Sequence, residues 1–222
     1  MSKKVILLGG RGDPITIAKA MIDANRRGNT EWEVVGLLND TLVPDTILDG
    51  FKVIGGLNRI SEFLDEDYYF LNGIYRIDGN QRRIKMFKSH DIPDSRLVHF
   101  IHPTAYVAPG VSFGPGCIIM PNVGISQEVR FGKCCIVLQG TTIGHNNHIA
   151  DFVHISAQVC LGGYVTIEKG VHVGMNATVR ETVHIGSFST LGMGSVLLKS
   201  IGPGEIWAGN PAKFLRRPRE DE

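Results

Sequence analysis

From residue 101 onward a bulky apolar residue recurs every six positions: Ile101, Val107, Phe113, Ile119, Ile125, Phe131, Val137, Ile143, Ile149, Ile155, Leu161, Ile167, Val173, Val179, Ile185, Leu191 and Leu197. At this chain's hydrophobic frequency such a run arises by chance on the order of once in a million, so the period is structural. Four residues after each comes a second series, small or β-branched, such as Val111, Cys117, Val123, Val129 and Cys135, which the pattern also turns inward. The position directly after the bulky residue is often Gly, Ala or Ser (Gly114, Gly132, Gly144, Gly162, Gly186), as a corner with no room for a Cβ requires. A period of six fits neither an amphipathic helix nor a hairpin. It predicts a β-solenoid in which each short strand runs at once into a corner and the next strand, with no long loop between Ile101 and Leu197.

The first hundred residues are patterned differently. Lys3 to Leu8 predicts a buried parallel strand, and Ile15 to Arg27 a helix with Ile17, Ala18, Met21, Ile22 and Ala24 on one side. Glu33 to Leu38 and Tyr68 to Leu71 read as further strands, and Leu57 to Leu64 and Gln81 to Lys88 as helices. This is a small Rossmann-like domain. Gly9-x-x-Gly12 follows its first strand, but residue 14 is Pro, so the full GxGxxG of a dinucleotide site is absent. The turn is still expected to offer backbone N–H groups to a diphosphate.

Composition adds boundaries. The 27 glycines are spread at intervals, as a repeat demands, with no low-complexity tract. A formal charge of +1, from 23 basic and 22 acidic residues, excludes a bulk field for nucleic acid or an anionic membrane. The amino-terminal apolar run is too short for a secretory or membrane segment, and a cytoplasmic protein is expected. Cys117, Cys134, Cys135 and Cys160 show no CxxC spacing and are expected to be buried small hydrophobes.

The solenoid closely resembles the hexapeptide-repeat proteins. Together with the Gly-rich amino-terminal domain, the terminal Gly209-Asn-Pro-Ala-Lys213 and the segment Ile143-Gly-His-Asn-Asn-His148, it resembles their sugar acyltransferases: the sialic acid O-acetyltransferases, UDP-4-amino-sugar N-acetyltransferases and GDP-perosamine N-acetyltransferases. The resemblance implies a left-handed parallel β-helix of three six-residue units per coil. It divides the chain into a nucleotide-sugar-binding domain (1–98), an acyltransferase domain (99–205) and a tail contacting coenzyme A (206–222). It also implies a homotrimer with acetyl-CoA in the groove between neighbouring prisms.

Carried over residue by residue, His145 matches the catalytic base, and Gly163 the backbone N–H that meets the oxyanion. His154 matches the residue near the acyl thioester. Asn146 stands where N-acetyltransferases often carry Asp or Glu, so it can orient the imidazole but cannot supply charge. Gly174-Met175 and Gly192-Met193, eighteen residues apart, fall where the family threads pantetheine. Lys199 and Lys213, with Arg216 and Arg217, form a basic cluster for the phosphates of coenzyme A. Gly10, Arg11, Gly12 and Asp13 replace the first turn of the UDP-sugar enzymes, and Asn39-Asp40 matches the acidic pair near base or ribose.

The expected activity is N-acetylation of a nucleotide-linked deoxy-amino sugar for surface polysaccharide, by direct transfer. O-acetylation of a sugar is the alternative, and a hexapeptide-fold metal enzyme or a non-catalytic scaffold comes after it. His148 and His184 are two coils apart, as in the zinc pair of hexapeptide carbonic anhydrases, but the third ligand position is Ser189, so no metal is expected.

Overall fold

The computed structural model describes residues 2–29, 31–78 and 80–218. The amino-terminal sheet is built from β1 (Lys3–Leu8), β2 (Trp32–Leu38), β3 (Ile47–Leu48), β4 (Phe51–Gly55) and β5 (Tyr68–Asn72), in the order β3-β4-β2-β1-β5. All neighbours pair in parallel except β3 with β4. Three α-helices accompany it: α1 (Asp13–Arg26), α2 (Ile60–Asp65) and α3 (Asn80–Lys88). Val5 to Leu8 of β1 are fully buried because neighbouring strands flank it and apolar groups cover both faces.

The β3–β4 hairpin was absent from the sequence expectation. Its turn residues Asp49 and Gly50 have φ of 49° and 93°, the left-handed pair that a two-residue hairpin needs. Asp-Gly between Ile47-Leu48 and Phe51-Lys-Val53 was the available signal.

The second domain is a triangular left-handed β-helix. Face 1 begins at Phe100–Ile101, face 2 at Tyr106–Val107 and face 3 at Ser112–Phe113, and each recurs in register every eighteen residues. The bulky series points inward: Ile125, Ile143, Ile155, Ile167 and Leu191 are all fully buried, with Cys117, Cys135, Val165 and Val171 of the second series. Three cysteines are buried as expected. Cys160 is exposed, since it occupies the outward position of a face 2 strand.

The small residues after the bulky ones have a reason the sequence does not display. A Cβ on Gly114, Gly132, Gly144 or Gly174 would come within 2.8 Å of backbone atoms of the following coil. The turn itself is made two residues later by residues such as Asn146, Phe152, Tyr164 and Asn176, with φ of 56–58°. Most of these are not glycine. The closed coil imposes the left-handed conformation on side chains that rarely adopt it.

The amino-terminal domain sits on face 1. The outward residues of faces 2 and 3 are exposed or half-buried, whereas those of face 1 (Ile118, Ile136, His154, His172, Thr190) are all buried. Ile118, Met120 and Ile136 share a core with β1, β2 and α1, and Phe152 and Phe188 pack with Ile84 and Phe87 of α3. Polar ties reinforce the apolar contact: Lys133–Asp94 at 3.1 Å, His154–Asp13 at 2.9 Å and Arg216–Asp78 at 2.8 Å.

Candidate active site

Two candidate centres lie on opposite sides of the prism. The first is a cleft of about 280 Å3 at the carboxyl ends of β1, β2 and β5, lined among others by Gly10, Arg11, Asn39, Asp40, Tyr75 and Arg83. Chain connections leave β1 in opposite directions there, since β2 and β5 flank it, and such a switch point is where open α/β sheets bind ligands. Asn39 and Asp40 also build the wall: Asn39 Oδ1 accepts from the Thr41 and Leu42 N–H groups, and Asp40 Oδ1 accepts from Leu57 N–H at 2.7 Å.

The Gly-rich turn differs from the sequence expectation. Gly12 caps α1, Pro14 in the first turn has no N–H to give, and Asp13 already places a carboxylate there. Asp13 Oδ2 meets His154 Nε2 at 2.9 Å, so this side chain faces the prism rather than a substrate. Gly12 lines a separate depression with Lys19 and Asp49.

His154 is 3% exposed, which is a correction to its expected contact with a cofactor in an open groove. Its ring stacks on Tyr75 with centroids 3.9 Å apart and approaches His172, the residue paired with it on the next coil, at 5.2 Å. Burial raises the Tyr75 hydroxyl well above its ordinary range, and burial beside His154 pushes His172 down to about 3. Tyr75 Oη and the Nδ1 atoms of both histidines are buried with no hydrogen-bond partner among the described residues.

The second centre is the corner between faces 2 and 3. Ile143 ends a strand of face 2, and Gly144-His145-Asn146 turns the chain toward His148 on face 3. Asn146 adopts φ 58°, and its Oδ1 accepts from His145 Nδ1 at 3.0 Å. An Nδ1–H held this way leaves Nε2 as the proton acceptor. One coil on, Gly163 lies directly against the imidazole: a Cβ there would be 2.9 Å from Cε1 and 3.0 Å from Nε2. The Gly163 carbonyl accepts from Thr182, while its N–H makes no hydrogen bond among the described residues. Tyr164, which the sequence reading missed, stands edge-on to His145 at 5.1 Å and is exposed. An aromatic residue at the turn position that Gly110, Glu128, Asn146 and Thr182 fill on the other coils of this corner was its signal.

A model of the GMPPB C-terminal domain matches residues 97–196, the prism alone. The acetyltransferase domain of PglB from Neisseria gonorrhoeae superposes with TM-score 0.83 at 26% identity, covering 96% of this chain and all of that one. The chain is similar to the hexapeptide-repeat sugar acyltransferases along nearly its whole length. The same PglB domain has been solved in complex with acetyl coenzyme A, again at TM-score 0.83, with 25% identity over 97% of this chain and 100% of that one. A histidine-to-asparagine mutant of perosamine N-acetyltransferase from Caulobacter crescentus, in complex with CoA and GDP-perosamine, shares the fold at TM-score 0.81 and 23% identity over 96% and 97% of the two chains.

The remaining expected residues fall into two groups. Gly174-Met175 and Gly192-Met193 stack at the corner between faces 1 and 2, where Gly194 N–H donates to the Met175 carbonyl. Both methionines are exposed, Met193 by 70%. They border face 2 on the edge away from His145, so one chain does not bring the two together. The expected basic cluster is divided: Lys199 lies over the Trp207 ring at 5.2 Å, Lys213 is exposed on the strand Lys213–Arg216, and Arg216 pairs with Asp78 of the amino-terminal domain. A second, formed by Arg76, Arg82, Arg83 and Lys85, lines a cleft of about 670 Å3 beside the first centre. Among the described residues no group of His, Cys, Asp and Glu side chains is arranged to hold a metal ion.

Proposed function

We propose that this acyltransferase moves an acetyl group from acetyl-CoA to the amino group of a nucleotide-linked deoxy-amino sugar. The observation that carries the reading is the His145–Gly163 pair: an imidazole oriented through Nδ1, lying against Gly163, whose N–H has no hydrogen-bond partner among the described residues. The sugar amine attacks the thioester carbonyl while His145 Nε2 takes its proton. The carbonyl oxygen becomes an oxyanion that accepts from Gly163 N–H, a contact that strengthens as charge develops. Collapse expels the thiolate of coenzyme A, and the imidazolium returns the proton to it. His145 thus starts and ends neutral, and no covalent enzyme intermediate is required.

The acceptor belongs in the cleft at the ends of β1, β2 and β5, which lies over face 1. The His145 corner is opposite that face, because the vertex of a triangle faces the side it does not touch. An acceptor bound to one copy therefore meets His145 of another, which favours a homotrimer. Face 2 suits contact between copies: its outward residues Tyr106, Gly124, Thr142, Cys160, Thr178 and Val196 carry no charge, and Tyr164, Leu198, Met175 and Met193 on its bordering corners are exposed. In such an assembly coenzyme A runs between the methionine corner of one prism and the His145 corner of its neighbour, with Lys199 and Lys213 near its phosphates.

The test is thiol release from acetyl-CoA across a panel of UDP-, GDP-, CDP- and dTDP-linked amino sugars, followed by mild base treatment of the product. Transfer that withstands base identifies the amide. A base-labile product would assign the enzyme to sugar hydroxyls instead, and no transfer to any nucleotide sugar would defeat the acceptor reading.

A further inference from the structure

The cationic cleft beside α3 is unexplained by the transfer step. Arg82 and Arg83 stand in the first turn of that helix, with no acidic residue there. Cations at a helix amino terminus oppose the backbone dipole, and neighbouring like charges repel, so the arrangement carries a local stability cost. Among the described residues no ion pair or hydrogen bond engages the side chains of Arg76, Arg82, Arg83 or Lys85, and Asp78, the one acidic residue between Arg76 and Lys88, is taken by Arg216. Local rules broken without compensation mark functional positions.

The cleft's position states what it serves. Arg83 and Met86 line both this cavity and the one formed by Gly10, Asn39 and Asp40, so the two are contiguous. The usual phosphate cradle of this topology, the amino terminus of α1, holds the acidic Asp13 and Pro14, which has no N–H to give, so it is a poor anion site. A nucleotide whose base lies by Asn39 and Asp40 then finds Arg11 in the cleft itself and, through Arg83, a whole group of unpaired cations at α3.

Resting on the nucleotide-sugar reading above, we propose that the diphosphate of the acceptor is held by α3, with Arg83 as the shared contact and Arg76, Arg82 and Lys85 around it, and not by the Gly9–Gly12 turn. Guanidinium groups match phosphate oxygens two at a time, which also fixes the acceptor's orientation.

Calorimetric titration of the full chain with inorganic pyrophosphate and with GDP, UDP, CDP and dTDP tests this. R82Q/R83Q is expected to weaken pyrophosphate and the preferred nucleotide by about tenfold to a hundredfold. R83K should retain most of the affinity, and R130Q, an exposed cation on face 3, all of it. All four positions are exposed, and the ligand-free R82Q/R83Q protein should unfold at the same temperature as the parent or slightly above it, since it loses only repulsion. A nucleoside diphosphate that binds R82Q/R83Q as tightly as the parent overturns the proposal and leaves the acceptor reading intact. Failure of the parent to bind pyrophosphate or any of the four nucleotides overturns it too. Pyrophosphate binding that depends on Arg83, with no nucleotide sugar acetylated, supports the phosphate site and removes the acceptor reading instead.

Discussion

His145 and Gly163 are eighteen residues apart in sequence and in contact in space, and under the proposed function a change at either alters turnover. His145→Ala is expected to lower turnover by about a hundredfold to ten-thousandfold, the usual range for a lost general base, with thermal stability nearly unchanged because the ring is on a corner. His148→Ala, on the adjoining strand of face 3, serves as the control. Gly163→Ala offers a sharper test. Its backbone has no left-handed requirement, so the fold should tolerate the methyl, but that methyl would lie 2.9 Å from the imidazole and must displace it. Turnover should fall by about tenfold to a hundredfold with the melting temperature within a few degrees of the parent. Parent-like turnover in this variant would separate the glycine from the reaction.

At the scale of elements the prism and face 1 behave differently. Leu161 is 2% exposed inside a coil, and Leu161→Ala should cost about 2–5 kcal/mol, measured by denaturant unfolding, because closed coils above and below limit collapse into the cavity. Under the amino-terminal domain, pH matters more than volume. His172 titrates near 3 when folded, against an ordinary value of 6.5, because burial and His154 disfavour its charge. The unfolded chain therefore binds a proton that the folded chain refuses, so stability is full above about pH 7 and falls as pH drops through 6.5. The loss should reach about 1 kcal/mol at pH 5.5, and His172→Phe should flatten that part of the profile. An equal slope in both proteins would remove His172 from the account.

The sequence made some of this plain and concealed the rest. The inward series from Ile101 to Leu197 was legible because burial selects a residue type at a fixed spacing, and βαβ order was legible from Lys3 to Leu8 and the helix after it. Hidden were the facts that depend on which elements meet. His154 and Asp13 are 141 residues apart, and their contact exists only because the first domain covers face 1. Arg216 reads as a solvated tail until Asp78 is found beside it. Arg82 and Arg83 look like an ordinary helix surface until the cleft they border is seen to continue into another.

For the whole molecule the decisive quantity is the number of chains per site. A homotrimer of three 24.3 kDa chains has a mass of about 73 kDa, and light scattering at micromolar concentration should find it. Mixing gives a functional counterpart. A His145→Ala chain keeps its acceptor cleft, and a Gly10→Trp chain, whose new side chain would crowd Asn39, keeps its base. Each alone should be inactive. Trimers reassembled from equal amounts should regain about a quarter of parental activity, since one site in four then pairs an open cleft with an intact histidine. No recovery, with mixed trimers verified by mass, would mean that cleft and base act within one chain.

The eighteen-residue coil makes this domain a screw. Adding or removing one full coil is a pure translation: every outward side chain stays on its face, and the groups beyond the change move along the axis by one strand spacing, about 4.8 Å. Removing six residues is a rotation by a third of a turn that would carry a histidine from the corner it shares with Gly163 to the corner of the methionines, and adding six would carry it to the corner between faces 3 and 1. Length changes here are thus graded by phase. A lineage could lengthen the prism coil by coil with every face preserved, while any insertion out of step with the thread would turn His145 to another corner.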